Sequence, residues 1–434
     1  MTEQALPQPP TSRFAHTMRA LRHRNYRLYL SGQCVSLMGT WMTRLALSWL
    51  TYRLTHSAFL LGMVGFAGQI LTFVLAPFAG VWVDRMDRRE LLVITQVAAA
   101  VQSLALAALT LTKVITIQEI LALAAFQGLI DAFDMPARQS FVTKMVPDKE
   151  DLSNAIALNS SMVNVARLVG PSVAAIVIAH LGEGWCFSID GVSYLAVIAS
   201  LLLMRIKPDV PGDHHRPAMA EQMREGWGYV SRFIPVRNIL LLFAITSLMG
   251  MSQMALLPLF AVQVLHGGPR MLGLLATANA VGALVAAVLL ASRKNAVGLL
   301  RYVQCGGALF GAALIVFGIS HWVALSLLAM MAMGFGIMTG MGGSNTIIQT
   351  LSPENKRGRV MSFYTMAFIG MTPFGSLLAG ALAHRIGAPH TLLFSGVCVL
   401  LAGAWFWSQT AAMRLGMRAR YEELGILQPK KEAA

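Results

Sequence analysis

The sequence predicts an all-α membrane protein in which twelve transmembrane helices form two six-helix bundles. Hydrophobic residues make up 56% of the 434 residues and charged residues only 12%, about half the charged share of an ordinary soluble domain. Apolar runs of about 20 residues, the length that a hydrocarbon core of about 30 Å requires, recur along the whole chain. The two halves of the chain also resemble each other weakly, which indicates an internal repeat.

The apolar runs set the predicted spans, with ends that are uncertain by a few residues. They cover 28–52, 59–82, 91–111, 118–144, 152–180, 184–205, 236–265, 270–292, 300–319, 322–350, 358–384 and 390–412. The fourth, fifth and tenth runs are longer than a bilayer requires. We therefore expect these three helices to project beyond the membrane.

The basic residues set the predicted orientation, because Lys and Arg in short loops stay on the cytoplasmic side. Five arginines lie between residues 13 and 27, and the even-numbered connections with their flanking helix ends hold most of the other basic residues. The odd-numbered connections offer only Arg53, Lys113, Arg270 and Arg385. We expect a multi-pass protein of the bacterial inner (plasma) membrane, with both termini in the cytoplasm and the lipid bilayer as its main partner.

Composition and spacing argue against several other classes. The net charge of +14 is spread over loops, and no basic stripe with interleaved aromatic residues indicates a nucleic-acid partner. The four cysteines stand singly, without the spacing of a metal site or of a disulfide framework, so no metal and no cofactor are expected. The chain has no nucleotide-binding P-loop and no converging nucleophile and base, which argues against an ATP-driven pump and an enzyme. Residues 1–25 do not have the pattern of a removable signal peptide.

A polar segment with three prolines divides the chain. We expect an N-terminal arm at 1–27, a first bundle at 28–205, a central cytoplasmic linker at 206–235, a second bundle at 236–412 and a cytoplasmic tail at 413–434. The linker continues as an amphipathic helix around 219–233. Across it the sequence repeats weakly at a spacing of about 205 residues, for example with Gly128 against Gly334. Two parallel bundles related by an axis along the membrane normal would produce such a repeat.

A glycine and a tight charge cluster separate the second and third runs. The segment reads Gly80-Val81-Trp82-Val83-Asp84-Arg85-Met86-Asp87-Arg88-Arg89. It must lie at the membrane surface, because an Arg or Asp at the bilayer centre costs about 2.5–3.5 kcal/mol on insertion scales. A Gly, an Asp-Arg pair and a basic pair at this spacing resemble the signature loop between the second and third helices of the major facilitator superfamily. The resemblance implies the major facilitator fold and a cytoplasmic gate that contains Gly80, Asp84, Arg85, Arg88, Arg89 and Arg138. A generic basic loop beside the membrane is the alternative.

Further motifs resemble the drug and siderophore exporter branch of that superfamily, which includes enterobactin and macrolide exporters. They are Arg24-Asn25-Tyr26-Arg27-Leu28 before the first span, Thr40-Trp41 inside it, Pro136-Ala137-Arg138-Gln139-Ser140-Phe141 in the fourth, and Asn154 to Ser160 in the fifth. The resemblance implies a monomeric secondary transporter that expels a small amphipathic molecule by alternating access, in antiport with protons. It does not identify the substrate. A proton-coupled importer or a lipid flippase on the same fold is the alternative, and a membrane-bound enzyme is the least favoured.

The fifth span carries Gly170-Pro171 at the position of a second exporter motif. Exporters of the superfamily have Gly-x-x-x-Gly-Pro-x-x-Gly-Gly there, and here the positions read Ala166, Gly170, Pro171, Ala174 and Ala175. Small residues let helices approach closely, and proline removes a backbone hydrogen bond. The resemblance implies a helix bend that seals the protein against proton leak. Ordinary small-residue packing is the alternative.

Ionisable residues inside the spans are the candidates for energy coupling, because they are costly in lipid and are seldom retained without a partner or a role. Five stand out, and all lie in the first half: Arg44, Asp131, Asp134, Arg167 and Asp190. Between residues 236 and 412 the only acidic residue is Glu354, in a loop. A carboxylate that couples transport is therefore expected in the first bundle.

Spacing ranks the three carboxylates. Asp134 and Arg138 are four residues apart on one helix face, which predicts a salt bridge, although Arg138 could also reach Asp84. Asp131 has no basic residue within four positions, and burial would favour its neutral form, so that it could exchange protons. We expect Asp131 to be the coupling group, ahead of Asp134 and Asp190, with pairing to Arg44 or Arg167 as its alternative. Asp190 and Arg44 lie at similar depth, which predicts a structural pair.

The second half offers residues of a different kind to line the substrate path, because its spans are rich in methionine and neutral polar groups instead of charged residues. Flexible thioether side chains suit a surface that accepts varied apolar ligands, although ordinary packing explains any single methionine equally well. The candidate substrate-lining residues are Gln253, Met254, Asn279, Met338, Asn345 and Gln349.

Overall fold

A computed structural model describes residues 18–83, 85–146, 148–206, 219–251, 253–293, 297–425 and 427. Within these ranges the chain consists of helices joined by turns, without a strand. The helices are α1 (Arg24–Thr55), α2 (Ala58–Val83), α3 (Arg88–Leu111), α4 (Ile117–Met145), α5 (Lys149–His180), α6 (Glu183–Leu203), α7 (Met219–Arg232), α8 (Ile234–Gly250), α9 (Gln253–Leu259), α10 (Pro269–Ala291), α11 (Leu299–Ile319), α12 (Val323–Leu351), α13 (Glu354–Phe368), α14 (Thr372–Ile386), α15 (Ala388–Ser408) and α16 (Thr410–Glu423). A 3₁₀ turn at Arg19–Arg22 precedes α1, and a π-helical turn at Phe260–Val264 extends α9.

Over the described residues, eleven helical stretches are long and apolar enough to cross a membrane. Helices α8 and α9 together form one of them, and α13 and α14 form another. Helix α1 is a further candidate, because its 32 residues rise about 48 Å at 1.5 Å per residue, but polar side chains such as Gln33 and Arg44 lower its hydropathy. The predicted all-α multi-pass membrane fold is confirmed, and the helices agree with twelve spans.

Local chemistry sets where several helices begin. Asp87 caps α3, since its carboxylate accepts hydrogen bonds from the backbone N–H of Arg89 at 2.8 Å and of Glu90 at 3.1 Å. Thr116 and Glu119 form a capping box at the start of α4. Such caps satisfy backbone donors that have no partner within the helix. One aspartate of the charged loop therefore has a structural role as a helix cap.

Equivalent helices pack together in the two halves. In the first half α1 packs on α5 and α6, α2 on α4, and α3 on α6; in the second half α8 packs on α14 and α15, α10 on α12, and α11 on α15. A Cβ atom on Gly128 of α4 would lie 2.7 Å from the carbonyl oxygen of Gly68 in α2. A Cβ atom on Gly334 of α12 would lie 1.9 Å from the carbonyl oxygen of Asn279 in α10. The two glycines that match in the sequence repeat thus make equivalent close contacts.

The two halves meet near one end of the bundle. We call the end where α1, α3 and α5 begin the basic end, and the opposite end the far end. Helix α2 packs on α14 and α10 packs on α5, and small residues allow the approach: Gly62 lies against Gly380, and a Cβ on Gly273 would lie 2.2 Å from the Cβ of Ala175. Among the described residues, every hydrogen bond that joins the halves lies toward the far end. The halves are thus closed at the far end and separate toward the basic end.

Three features differ from the predicted spans. The seventh span is broken, since α8 ends at Gly250 and α9 starts at Gln253. The eleventh is broken between Phe368 and Thr372, where the Ser247 hydroxyl donates to the carbonyl oxygen of Phe368 and so satisfies a helix end. The tail is partly helical, because α16 follows α15 after a turn at Gln409.

The linker helix and the start of the tail both pack on the second half. Helix α7 matches the predicted amphipathic helix, and its Trp227 packs against Phe363 of α13 with 5.9 Å between the tilted rings' centroids. Glu225 forms an ion pair with Arg359. Linker residues 207–218 lie outside the described residues.

We expect Gly282→Ala to destabilise the protein by about 1–3 kcal/mol, the usual cost of overpacking. A Cβ at this position of α10 would lie 1.9 Å from the carbonyl oxygen of Met331 in α12, so the two helices must move apart. Thermal unfolding of the purified protein in detergent measures the effect. Gly403→Ala in α15 is the matched control, because no atom lies within 4 Å of its added Cβ and alanine favours a helix. Equal melting temperatures for the two variants would contradict the expectation.

Candidate functional site

A buried polar network surrounds Asp134 in the first half. The Arg138 Nε donates to the Asp134 carboxylate at 3.0 Å, and the pair is an i,i+4 salt bridge on α4. The other carboxylate oxygen accepts from Gln96 at 2.8 Å and from the Thr95 hydroxyl at 3.0 Å, both on α3. Arg138 also donates to Gln33 of α1. The predicted Asp134–Arg138 salt bridge is therefore present, and it ties α1, α3 and α4 together.

Asp131 lies one turn earlier on α4 and is not part of that network. Its carboxylate accepts from the Gln127 amide at 2.9 Å, and it forms no ion pair with a described residue. Arg44 is close enough to act on it electrostatically but makes no direct contact with it. Gln127, Asp131 and the half-exposed Met135 are spaced four residues apart, so they lie along one accessible face of the helix.

Two arginines flank one tryptophan where α1 meets α5. The guanidinium carbon of Arg44 lies 5.1 Å from the ring centroid of Trp41, and that of Arg167 lies 5.9 Å from it. Both distances fall within the range of a cation–π interaction. A Cβ on Gly170 would lie 2.5 Å from the Cβ of Trp41, so glycine allows α5 to approach α1 here. Neither arginine forms an ion pair with a carboxylate of the described residues.

Arg167 also links the two halves. Its Nη2 donates to the side-chain oxygen of Asn279 in α10 at 3.5 Å, and the Asn279 amide donates to the carbonyl oxygen of Met330 at 3.2 Å. One turn further along α5, Ser172 and Thr277 share a hydrogen bond of 2.7 Å. Asn279, predicted to line the substrate path, is 1% exposed and instead belongs to the closed contact between the halves.

The predicted pair between Asp190 and Arg44 is wrong. Asp190 is 1% exposed and accepts from the Ser103 hydroxyl of α3 at 2.9 Å, and its second oxygen lies near Gly39 of α1. Its side chain thus points into the packing among α1, α3 and α6, whereas Arg44 is exposed and lies over Trp41. Equal depth along the membrane normal did not mean that the two side chains share a face.

Asp84, predicted to belong to the gate, lies outside the described residues. Gly80 lies near the end of α2, and Arg85 is exposed in the following turn. Arg88 donates to the Ser140 hydroxyl of α4 at 3.0 Å. Arg89 donates to the carbonyl oxygens of residues 201 and 202 in α6, each at 2.8 Å. These two arginines therefore tie α3 to its neighbours at the basic end.

The other predicted lining residues fall into two groups. Gln253 is 2% exposed, and its side-chain oxygen has no hydrogen-bond partner among the described residues. Met254 packs against the core of the far end. Met338, Asn345 and Gln349 lie on the accessible face of α12, with the Gln349 amide donating to Asn345 at 3.0 Å. The last three are partly or fully exposed, whereas Gln253 is buried.

Sequence reasoning missed a cluster at the start of α5. The fully buried carboxylate of Asp151 contacts Arg19 at 3.1 Å, Arg22 at 2.6 Å and His23 at 2.9 Å. Asp148 lies close to His23 and Asp151, so the three offer a possible set of metal ligands, but the two guanidinium groups already neutralise Asp151 and would repel a cation. Basic residues in the arm and acidic residues after the fourth span were the available signal. The cluster fastens the segment before α1 to α5.

A family model described as transmembrane secretion effector matches residues 15–417 of the chain. The chain is 24% identical over 393 residues to a staphyloferrin A transporter of Staphylococcus aureus. The alignment covers 90% of this chain and 97% of that protein. It is 23% identical over 375 residues to macrolide efflux protein A of Streptococcus pyogenes, and that alignment covers 85% of this chain and 92% of the relative.

Among solved structures, a bacterial homologue of the human lysosomal transporter Spinster, inward-facing and occupied, matches with a TM-score of 0.70 at 13% identity. The match covers 91% of this chain and 98% of that one. At this level of identity the match shows the fold alone.

We expect Asp134→Asn to destabilise the protein by about 3–5 kcal/mol, because breaking a buried pair leaves Arg138 without a compensating charge. Glu422→Gln is the matched control. It breaks another i,i+4 pair, Arg418–Glu422 at 2.7 Å, which is more exposed and should be worth less than about 1 kcal/mol. Thermal unfolding in detergent compares the two variants. A loss for Asp134→Asn no greater than that for Glu422→Gln would mean that the network is not structural.

Proposed function

The chain belongs to the transmembrane secretion effector family of the major facilitator superfamily, in the branch of drug and siderophore exporters, and we propose that it expels a small amphipathic molecule from the cytoplasm in exchange for protons. The family is one of transporters, not of enzymes, as the sequence predicts. The mechanism is alternating access: the space between the halves opens to one side of the membrane at a time. The membrane is the bacterial inner membrane, with both termini in the cytoplasm.

The described conformation suits the loading step of export. The halves touch at the far end and separate toward the basic end, where Arg85, Arg88 and Arg89 lie. Basic loops stay in the cytoplasm, so the open side faces the compartment from which an exporter takes its substrate. The names of the two curated relatives, a siderophore transporter and a macrolide efflux protein, favour the same class of substrate.

The observation that carries the proposal is Asp131, a carboxylate on the accessible face of α4 that has a glutamine as its neighbour and no ion-pair partner in the described part of the chain. A substrate that donates a hydrogen bond or presents a positive charge to Asp131 binds the ionised form. Protonation of Asp131 then weakens substrate binding, and by reciprocity bound substrate disfavours the proton. Mutual exclusion of this kind is what antiport requires. Asp134 suits the role less well, because Arg138 already neutralises it.

The surroundings of Asp131 favour an amphipathic substrate. Arg44 and Arg167 offer donors to carbonyl or carboxylate oxygens, and Trp41 between them offers an aromatic face. In the second half, Met338 and the Asn345–Gln349 pair on the accessible face of α12 would add an adaptable apolar and amide surface. A molecule with a donor, several acceptors and an apolar body would use all of these groups.

Protons supply enough free energy for this exchange. One pH unit is worth about 1.4 kcal/mol, and 100 mV is worth about 2.3 kcal/mol per charge. A tenfold accumulation of a neutral solute costs about 1.4 kcal/mol. One or two protons for each substrate molecule are therefore sufficient.

The substrate and the direction of transport need a direct experiment. A susceptibility and metabolite-release profile of a deletion strain against an overexpressing strain should identify a compound that overexpression removes from the cell. Transport of that compound in oriented vesicles then tests direction. Uptake into the compartment that corresponds to the cytoplasm would favour the importer instead, and translocation of a labelled phospholipid with no soluble substrate would favour the flippase.

We expect Asp131→Asn to abolish uphill transport driven by a pH gradient while retaining downhill substrate exchange at saturating substrate, with weaker substrate binding because the amide carries no charge. An amide fills the same space but cannot release a proton in this range. Proteoliposomes loaded with the compound from the release profile measure both activities in one preparation.

Two further variants control that experiment. Asp131→Glu keeps an ionisable carboxyl and should restore part of the uphill transport, whereas Asp190→Asn should leave coupling intact. If Asp131→Asn still accumulates substrate against its gradient, the coupling group lies elsewhere, with Asp134 and then Asp190 as the next candidates.

We also expect a covalent lock at the far end to stop transport. In a variant whose native cysteines are replaced, Ser172→Cys with Thr277→Cys places two thiols where the native hydroxyls are 2.7 Å apart across the halves. Oxidation should reduce transport at least tenfold, and reduction should restore it, because the far end must open in the second half of the cycle.

The control lock lies inside one half. Ser320→Cys with Ser326→Cys joins hydroxyls that are 2.9 Å apart within the second half, and its oxidation should leave transport unchanged. Full transport by the oxidised 172–277 pair would rule out opening at this contact.

A further inference from the structure

A second cavity lies at the basic end of the second half, between the start of α11 and α16. Its volume is about 540 Å³, and its lining residues all belong to the second half or the tail. Arg301, Arg414 and Arg418 supply its charge, and Leu300 and Met417 supply apolar surface. It is thus separate from the space between the halves in which transport is proposed.

The cavity has more positive charge than the described residues around it neutralise. Arg418 forms an ion pair with Glu422 at 2.7 Å. Arg301 and Arg414 form no ion pair with any described residue. Arg420, on the opposite side of α16, pairs with Glu423 and donates to the carbonyl oxygen of Leu351. Two guanidinium groups therefore remain available to an anion.

The hydroxyl of Tyr421 is an independent sign of a ligand. Tyr421 lines the cavity and is only 4% exposed, yet its hydroxyl has no hydrogen-bond partner among the described residues. A buried polar group without a partner is unfavourable. Burial raises the pKa of Tyr421, so the hydroxyl stays protonated and offers a donor to a ligand oxygen.

The cavity lies at the level of the lipid headgroups. Arg301 is the third residue of α11, a stretch long and apolar enough to cross the membrane. Helix α16 begins two residues after the last span ends, and Gln304 of α11 donates to Thr410 at its start. Leu415 of α16 is 79% exposed, which suits a helix that lies in the membrane interface with an apolar side chain toward the acyl chains.

We propose that this cavity binds the headgroup of an anionic phospholipid, with Arg301 and Arg414 contacting the phosphate and Tyr421 donating to a headgroup oxygen. Basic cavities between membrane helices attract such headgroups, and the negative surface of the cytoplasmic leaflet supplies them. Leu300, Met417 and Leu415 provide the apolar surface that acyl chains need and that a soluble anion does not. A bound lipid would fasten α16 to α11.

Ligand-dependent thermal unfolding of the full-length protein in a neutral detergent tests the proposal. Dihexanoyl phosphatidylglycerol is the anionic probe, and dihexanoyl phosphatidylcholine at the same concentration is the neutral one. A ligand that binds only the folded state raises the melting temperature. We expect phosphatidylglycerol to raise it by about 2 °C or more and phosphatidylcholine to leave it unchanged.

Two variants locate the effect. Arg301→Gln with Arg414→Gln should weaken the response to phosphatidylglycerol at least tenfold in concentration, and the pair Arg24→Gln with Arg27→Gln, which removes the same charge from exposed positions of α1, should not. Tyr421→Phe should be as stable as the wild type or more stable without lipid, because it removes a hydroxyl without a partner, and should respond more weakly to lipid.

Three outcomes would overturn the proposal. They are an equal response to the two lipids, an unchanged response in Arg301→Gln with Arg414→Gln and in Tyr421→Phe, and an equal response to inorganic phosphate, which would assign the cavity to a soluble anion. If the double glutamine variant does not fold, Tyr421→Phe alone decides, since it changes no charge. No transport is measured, so the result does not depend on the proposed export function.

Discussion

The buried Asp134–Arg138 pair is the interaction on which the first half depends. Asp134 accepts hydrogen bonds from two side chains of α3, and Arg138 donates to Gln33 of α1. The pair also neutralises two charges that would be costly inside the bundle. Its second consequence concerns function. Because Arg138 is fully engaged by Asp134, Asp131 one turn away is left with a neutral glutamine. A structural ion pair thereby leaves its neighbour available for the proton exchange that we propose.

Much of the fold was predictable because a span of about 20 apolar residues is a strong signal. The breaks in the seventh and eleventh spans were not, since they depend on contacts between distant segments, such as the Ser247 hydroxyl with the carbonyl oxygen of Phe368. The tail helix α16 had a readable signal in Met413, Met417 and Tyr421, which recur every fourth residue and form its buried face. That signal is short and lies among charged residues, and the sequence predicts the segment only as a cytoplasmic tail.

The candidate site was predictable where the interacting residues lie within a few positions of each other on one helix. Asp134 and Arg138 share a face of one helix, and their pair is found. Arg44 and Asp190 lie on different helices, and similar depth says nothing about how each helix is rotated, so the predicted pair was wrong. The stacking of Arg44 and Arg167 on Trp41 was not predictable either, because it depends on Gly170 letting α5 approach α1. Small residues in a span indicate a close approach without naming the partner.

The contact between the halves explains how one chain could alternate between two conformations. It consists of small residues such as Gly62, Gly273 and Gly380 and, among the described residues, of three hydrogen bonds. They join two hydroxyls, Arg167 to Asn279 at 3.5 Å, and Arg270 to His180 at 3.0 Å. No ion pair joins the halves in the described part of the chain. Small residues give close packing without long side chains that must separate. A neutral hydrogen bond contributes about 1 kcal/mol, and one with a charged partner contributes about 1.5–3 kcal/mol. Such a contact can open at a cost of a few kcal/mol, which is the range in which a ligand that binds one state more tightly shifts the balance between two states.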